Sequence, residues 1–418
     1  MKSKFLVGLL TATMVIGCMT GCGSSTESST AKTSTVAEKD TTATTAVEAG
    51  NESTSMEAAA DATSAESTGS NSVETKPYKL AVGLPDSGAT MFSLMSNNIK
   101  TFVNATGGEV VFQGGVGASA DATIQFVEDQ IAAGANGIII SPPSDSVIPT
   151  VDSLCSDAGV YWGITFRTVK DDAVKELLNS SKYYIGNCSE DEYSAGYKVM
   201  SNLHDKGVTK VAIISQAKGN TTTDLREAGA NKACQDFGME IVAEARSLTQ
   251  ASDATSAAES FLTAYSDLDA IFVVGTTGTG MHEAIAKAIE DAGRQNDVKL
   301  ATIDFPDSMV SLFESGDLVT CAGLASWGYD PFMITVTLAN QCMGCPISNT
   351  PVSYSCNMFD INDLDTAKAW VSRFGNDQTL YYDKDTMVKT YCKANNSGLT
   401  ADSMQKAITD FTENSLSK

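Results

Sequence analysis

Arg167 is the first side chain whose type and position point to chemistry. It closes the string Ile164-Thr-Phe-Arg167 directly after a short apolar run, and its planar guanidinium suits paired hydroxyls or a carboxylate. Ser141-Pro-Pro-Ser-Asp145 ends the run Ile138–Ile140 in the same abrupt way. Both strings fit the noncovalent grip of a polar ligand, and an ion pair is the competing use of the arginine. Covalent chemistry has few candidates. The chain has only two histidines, His204 near a helix end and His282 within a helix, and both read as solvated or capping residues. There is no Gly-x-Ser-x-Gly elbow and no His-Glu-x-x-His, and neither histidine sits beside a nucleophile. A catalytic carboxylate pair has no spacing rule and stays open. Gly275-Thr-Thr-Gly-Thr-Gly280 lacks the ending of a phosphate loop and reads as a flexible turn.

Of the ten cysteines, eight follow the export region. Cys155, Cys188, Cys234 and Cys321 read as small buried apolar residues. Cys342-Met-Gly-Cys345 has the spacing of a redox pair or half a zinc site, yet it closes a helix, where no N-terminal dipole lowers a thiol pKa. A structural disulfide among Cys342, Cys345, Cys356 and Cys392 is the stronger expectation, and no metal or cofactor is expected.

The elements that must position Arg167 form a β-α-β unit: strands at Ile138–Ile140 and Val160–Phe166 flank a helical Asp145–Ala158. In an open parallel sheet, ligands bind beyond the carboxyl ends of the strands. The alternation extends in both directions. Strands are expected at Tyr78–Leu84, Glu109–Phe112 and Tyr183–Asn187, with helices at Met91–Ala105, Asp121–Ala133 and Glu190–His204. A second series follows, with strands at Lys210–Gln216, Met239–Ala243, Ala270–Gly275, Lys299–Asp304 and Leu318–Ala325 and helices between them. Such alternation predicts α/β architecture, two doubly wound parallel-sheet lobes covered on both faces, with a small-molecule pocket between them. Beyond the helix Asp330–Met343 the pattern is less regular, with a strand at Val352–Phe359 and helices at Leu364–Phe374 and Ala401–Phe411.

Composition narrows the partners. Twenty-eight basic against 51 acidic residues leave a net charge of -23, a poor match for nucleic acid or anionic membrane surfaces. Lys2 and Lys4 precede an apolar core, Phe5–Ile16, of export-signal length. Cys18 and Cys22 each follow small residues as in the bacterial lipobox, and Cys22, with Gly23-Ser24-Ser25 after it, is the expected lipidation site. Residues 1–22 are therefore read as a lipoprotein signal peptide. Lipidation would anchor the chain to the extracytoplasmic face of the cell membrane without spanning it. Residues 23–75 are Ser, Thr, Ala and Glu with almost no large apolar side chains, a tether reaching roughly 40 Å on average.

From about Pro77 to Met343 the order of elements resembles the sugar-binding type I periplasmic binding proteins, of which the ribose-binding protein is the familiar member. The strings that carry the likeness are Gly137-Ile-Ile-Ile-Ser-Pro-Pro-Ser-Asp-Ser146, Ile164-Thr-Phe-Arg167, Asp224-Leu-Arg-Glu-Ala-Gly229 and Thr302-Ile-Asp-Phe-Pro306. The resemblance implies two lobes, 76–189 plus 327–345 and 190–326, with residues 346–418 an extension of unassigned place. Three crossovers, near Ile185–Glu190, Leu324–Trp327 and Met343–Ile347, would form the hinge. It also implies a small solute, most readily a sugar, handed to an ABC transporter permease; presentation to a sensor kinase or chemoreceptor is the alternative. By the family pattern the ligand-binding residues are Phe92, stacking on the sugar ring from the stretch that starts at Asp86, with Arg167, Arg226 and Asp304, joined by Trp327 at a crossover. For Phe92 and Trp327 the competing role is packing, for Arg226 an ion pair, and for Asp304 a helix cap. Gly275 and Leu324 stand where the ribose binder has an asparagine and a glutamine, which argues against a ribose-like pentose.

Overall fold

The computed structural model describes residues 76–84, 89–248, 250–275, 280–324, 328–375 and 379–416. In chain order its strands and helices are β1 (Tyr78–Gly83), α1 (Ala89–Ala105), β2 (Gly108–Gln113), α2 (Ala120–Ala132), β3 (Gly137–Ile140), α3 (Ile148–Ala158), β4 (Tyr161–Thr165), α4 (Asp172–Ser180), β5 (Tyr184–Glu190) and α5 (Glu192–Asp205). The second series is β6 (Lys210–Ser215), α6 (Thr221–Phe237), β7 (Glu240–Arg246), α7 (Ala251–Ala264), β8 (Ala270–Val273), α8 (Met281–Asp291), β9 (Lys299–Ile303), α9 (Met309–Ser315), β10 (Leu318–Leu324) and α10 (Tyr329–Cys342). The chain continues through β11 (Val352–Cys356), β12 (Met358–Ile361), α11 (Leu364–Phe374), α12 (Lys384–Tyr391) and α13 (Ala401–Asp410).

The strands form two sheets ordered β11-β5-β4-β3-β1-β2 and β12-β10-β9-β8-β6-β7. All pairings are parallel except β10 with β12. Apolar runs such as Gly137–Ile140 are buried along their whole length, because helices cover both faces. The two sheets repeat one winding, so the carboxyl ends of five strands from each series share one edge of their sheet.

Three differences from the sequence reading have physical causes. The stretch 352–359 is two strands: β11 joins the first sheet beside β5 and β12 joins the second beside β10. The third crossing therefore lies at Cys356–Met358, not at Met343–Ile347. Two helices escaped the sequence reading, α4 and α12, both short and both started by an aspartate cap, Asp171 and Asp383, whose carboxylates accept backbone N–H groups. The eight cysteines of the described residues are all unpaired, so the disulfide expected among Cys342, Cys345, Cys356 and Cys392 does not form. Cys356 instead lies with its sulfur 3.5 Å from that of Cys188. Cys188 stands opposite Tyr354, two residues from Cys356. That offset puts the two Cα atoms roughly 8 Å apart, beyond the reach of a disulfide.

α10 is buried from Tyr329 through Asn340. It packs on β3, β4, β5 and α1, which explains its lack of a polar face. His282, read as solvated or capping, is buried on α8 with Nε2 2.8 Å from the Thr302 hydroxyl; burial holds its pKa below the ordinary value. His204 stacks on Phe237 at the end of α5.

In the second lobe Glu227 of α6 is the buried anchor of β6 and β7. Its carboxylate accepts from Arg246 at 2.5 and 2.8 Å and from Lys218 and Ser215. Burial alone would raise its pKa, but these donors pull it down to about 2. A folded value below the ordinary ~4.3 stabilises the fold above that pH, and the stabilisation is lost as pH falls through ~4 towards 2. Glu227→Gln should therefore cost about 2–4 kcal/mol at pH 7 in urea unfolding and flatten the acid limb; an unchanged acid limb would contradict this account.

Candidate ligand-binding site

Phe166, Arg167, Glu190, Glu192, Gln216, Asn220, Thr222, Thr223, Arg226, Gly275 and Asp304 line a cavity of ≈ 180 Å³. Each lies at or just beyond the carboxyl end of a strand: β4 supplies Phe166 and Arg167, β5 the two glutamates, β6 the residues from Gln216 to Arg226, β8 Gly275 and β9 Asp304. Both sheets contribute, as the strand-end rule requires. Strands β1, β8 and β10 lead into residues 85–88, 276–279 and 325–327, so Asp86 and Trp327 lie outside the described residues, as does Cys22.

Arg226 is the centre of the site. Its Nε donates to Glu192 at 2.6 Å, and Nη1 donates to the Val274 carbonyl at 3.1 Å and to Asp304 at 3.0 Å. Nη2 lies 3.8 Å from Glu190. Only 5 % of the side chain is exposed. Burial works against its charge, but Asp304, Glu192 and Glu190 together outweigh that penalty and raise its pKa. Glu190 is pushed the other way: burial, then the neighbouring Glu192 and Asp330, raise its pKa well above the carboxylate range despite Arg226. Glu190 and Glu192 thus crowd the same guanidinium from one side.

The Arg-x-x-Gly string has a packing reason. A Cβ on Gly229 would fall 2.0 Å from the Tyr193 carbonyl of α5, and one on Gly196 would fall 1.8 Å from the Arg226 carbonyl. The two glycines let α5 and α6 close to backbone contact, and that brings Arg226 within reach of Glu192. Sequence reading named Arg226 and Asp304 separately through the family pattern but missed Glu190 and Glu192, which read as the start of an ordinary helix. Their closeness to the β5 end was the only available signal.

Arg167 is half-buried and reaches across the cleft, Nη1 lying 3.4 Å from the Thr222 hydroxyl on α6. Lys170 Nζ reaches the Thr221 carbonyl at 3.4 Å. The lobes therefore touch across the mouth of the cavity. Asp304 has φ 76° and Phe166 φ 62°, left-handed conformations that cost a non-glycine residue about 1–2 kcal/mol. Strain of this kind persists only where surroundings impose it. At Phe166 the surroundings are Asp330, whose Oδ2 accepts the Phe166 N–H at 3.0 Å and the Thr165 hydroxyl at 3.1 Å. Asp330 is fully buried, and among the described residues its Oδ1 has no hydrogen-bond partner. Burial raises its pKa to about 8, against the pull of those two donors. Asp330 was missed in the sequence because it reads as an ordinary residue of a helix's first turn.

Phe92 stands apart from this cavity. Its ring meets Phe112 edge-on at 6.5 Å, and it is not among the residues lining the described cavity. Among the described residues no group of His, Cys, Asp and Glu is placed to hold a metal ion, and no helix is long and apolar enough to cross a membrane.

The family model described as "periplasmic binding protein domain" matches residues 80–341. Similar solved structures include an ABC transporter periplasmic solute-binding protein of Actinobacillus succinogenes with bound D-allose: TM-score 0.59, 19% identity, 70% of this chain and 99% of that one covered. A Bacillus halodurans ABC transporter solute-binding protein with bound myo-inositol gives 0.58, 15%, 72% and 99%, and one from Agrobacterium vitis with α-D-tagatopyranose gives 0.59, 17%, 71% and 98%. No curated protein sequence matches the chain. At these identities the likeness is one of fold.

The two protonation states of Asp330 give a test. An unfolded aspartate loses its proton near pH 4 while the folded one keeps it to about 8, so its contribution to stability falls as pH rises through that window. Asp330→Asn, neutral throughout, should gain on the wild type in urea unfolding between pH 5 and 8.5, with Glu190 retaining part of the slope. Asp330→Ala leaves the Phe166 N–H unpaired and should cost about 1–3 kcal/mol at any pH. Parallel pH curves for wild type and Asp330→Asn would show that the carboxyl is ionised in the fold.

Proposed function

This chain belongs to the periplasmic binding protein domain family, and from that membership we propose that it captures a small neutral polyhydroxyl solute, most readily a sugar, between its two lobes for delivery to an ABC transporter permease. The observation that carries this reading is the cavity at the carboxyl ends of both sheets, closed over by Arg167 and floored by Arg226 and Asp304. The cavity presents three carboxylates and two arginines. Hydrogen-bond donors and acceptors thus face the cavity together, which favours a ligand rich in hydroxyls. The residues proposed to touch it are Arg167, Asp304 and Arg226, with Phe92 and Asp86 added by the family pattern and Trp327 by its place at a crossover. The solute-binding relatives bind allose, inositol and tagatose, all within this chemical class. The lobes are proposed to be 76–189 plus 327–345 and 190–326.

No bond-breaking step is part of the proposal; the buried carboxylates are engaged in holding Arg226 and Phe166. Export by the signal of residues 1–22 and lipidation at Cys22 would place the binding lobes on the extracytoplasmic face of the membrane, with residues 23–75 as tether.

A thermal-shift screen of the mature chain against D-allose, myo-inositol, tagatose and L-arabinose tests the ligand class. A bound sugar at a hundred times its Kd adds about 2.7 kcal/mol, a shift of several degrees for a chain of this size. Arg167→Ala should abolish the shift while leaving the unliganded melting temperature within about 2 °C, since a half-exposed side chain carries little stability. A response to another solute class with none to sugars would refute the sugar assignment. Separately, Cys22→Ser should move the protein from the membrane to the soluble fraction; if Cys18→Ser does so instead, the anchor is Cys18.

A further inference from the structure

The family match ends at residue 341, yet the chain crosses between the lobes twice beyond it, at Cys356–Met358 and again after α11. α11 belongs to the second lobe. It packs on α9, with Trp370 meeting Phe305 at 4.7 Å and Lys368 pairing with Glu314 at 2.8 Å. The segment after it belongs to the first lobe. Asn98 of α1, fully buried, donates to the Thr379 carbonyl at 2.9 Å and accepts the Tyr381 N–H at 2.7 Å. Asn340 of α10 holds the Tyr391 carbonyl and the Lys393 N–H in the same two-sided way, at 2.8 and 2.6 Å. α13 then seals the edge of the first sheet, the Gln405 amide bonding both the N–H and the carbonyl of Ser355 on β11 at 3.0 Å each.

Two contacts tie the described parts on either side of this crossing together. Arg373, in the last turn of α11, donates to the carbonyls of Leu380 and Tyr381 at 3.0 and 3.2 Å, so the part anchored on the second lobe grips the part anchored on the first. Phe411 lies flat on Tyr329 of α10 at 4.2 Å and also touches Phe359 of β12 and Phe374 of α11. Its ring therefore packs on both lobes at once, beside the second and third crossings. All these contacts coexist with Arg167 and Lys170 reaching across the cleft to Thr222 and Thr221, so the docked arrangement is the closed one.

We propose that α11 together with the α12–α13 segment is a strap that ties the lobes across the hinge and biases the unliganded protein towards closure. Opening would pull the Trp370 anchor away from the Asn98 and Asn340 anchors, and Arg373 and Phe411 oppose that movement. A protein held partly closed is preorganised, and releasing the strap lowers the closed fraction and raises the apparent Kd in proportion.

The test needs no ligand. In the full chain carrying Cys18→Ser, Cys22→Ser and Cys342→Ser, the last of these half-exposed among the described cysteines, nitroxides placed at Gln125→Cys on α2 and Lys287→Cys on α8 report the interlobe distance by pulsed electron resonance. Trp370→Ala and Arg373→Ala should each lengthen and broaden the distribution by several Å. The double variant should open no further than either single one, because a strap released at one point is released. Distributions superimposing on the wild type would overturn the proposal, and so would additive opening, which would mean two independent docking contacts. If Trp370→Ala does not fold, Arg373→Ala alone decides between a lengthened and an unchanged distance. This readout is independent of which solute binds, so its failure leaves the solute reading untouched.

Discussion

The site rests on one buried guanidinium. Arg226 sits where β5 passes into α5 and where β8 and β9 end, and it satisfies acceptors from all three. Removing it would leave Glu192 and Asp304 facing each other with no counter-charge, the arrangement in which breaking a buried ion pair is most costly. Its partners gain as much from it: Asp304 keeps a left-handed backbone that an isolated aspartate seldom adopts, and Glu192 is oriented at the first crossing. The network links the tips of the second sheet to the first crossing.

The first lobe solves the matching problem with a carboxyl. Asp330 enters from the start of α10, just after the second crossing, and its two accepted bonds fix the end of β4. Burial dominates at Asp330 and pushes its pKa up to about 8, in contrast to Glu227, whose bonds from Arg246 and Lys218 pull it down to about 2. Two buried carboxyls of one chain thus respond to pH in opposite directions, and the difference is that two cations bond Glu227 directly while neutral donors bond Asp330. Each sheet's strand tips are set by a residue next to a crossing, so a change of hinge angle is felt at Phe166 and Asp304.

Regular elements were legible wherever hydrophobic period and length agreed, as at β3, α3 and β4. Local signals failed where pairing partners decide the outcome. Val352 to Phe359 reads as one strand because nothing in its alternation marks the residue at which it leaves the first sheet for the second; Asn357 is that residue, and only β5 and β10 reveal it. Glu190, Glu192 and Asp330 look in sequence like polar residues at helix starts. Their burial follows from the crossing of β5 and α10, some 140 residues apart in the chain, which no local pattern encodes. Cys356 shows the same limit: spacing grouped it with Cys342, Cys345 and Cys392, while strand pairing set it beside Cys188.

The sequence by itself determined the alternation of strands and helices, hence two wound parallel sheets and a cleft at their carboxyl edges, because period, length and strand-end rules are local properties of the chain. It also singled out Arg167, Arg226 and Asp304. Tertiary structure alone decided which carboxylates surround Arg226 and where the third crossing falls. It also decided that residues beyond the family match return across the hinge. Those features depend on burial and on partners distant in sequence, and burial is a property of the assembled fold.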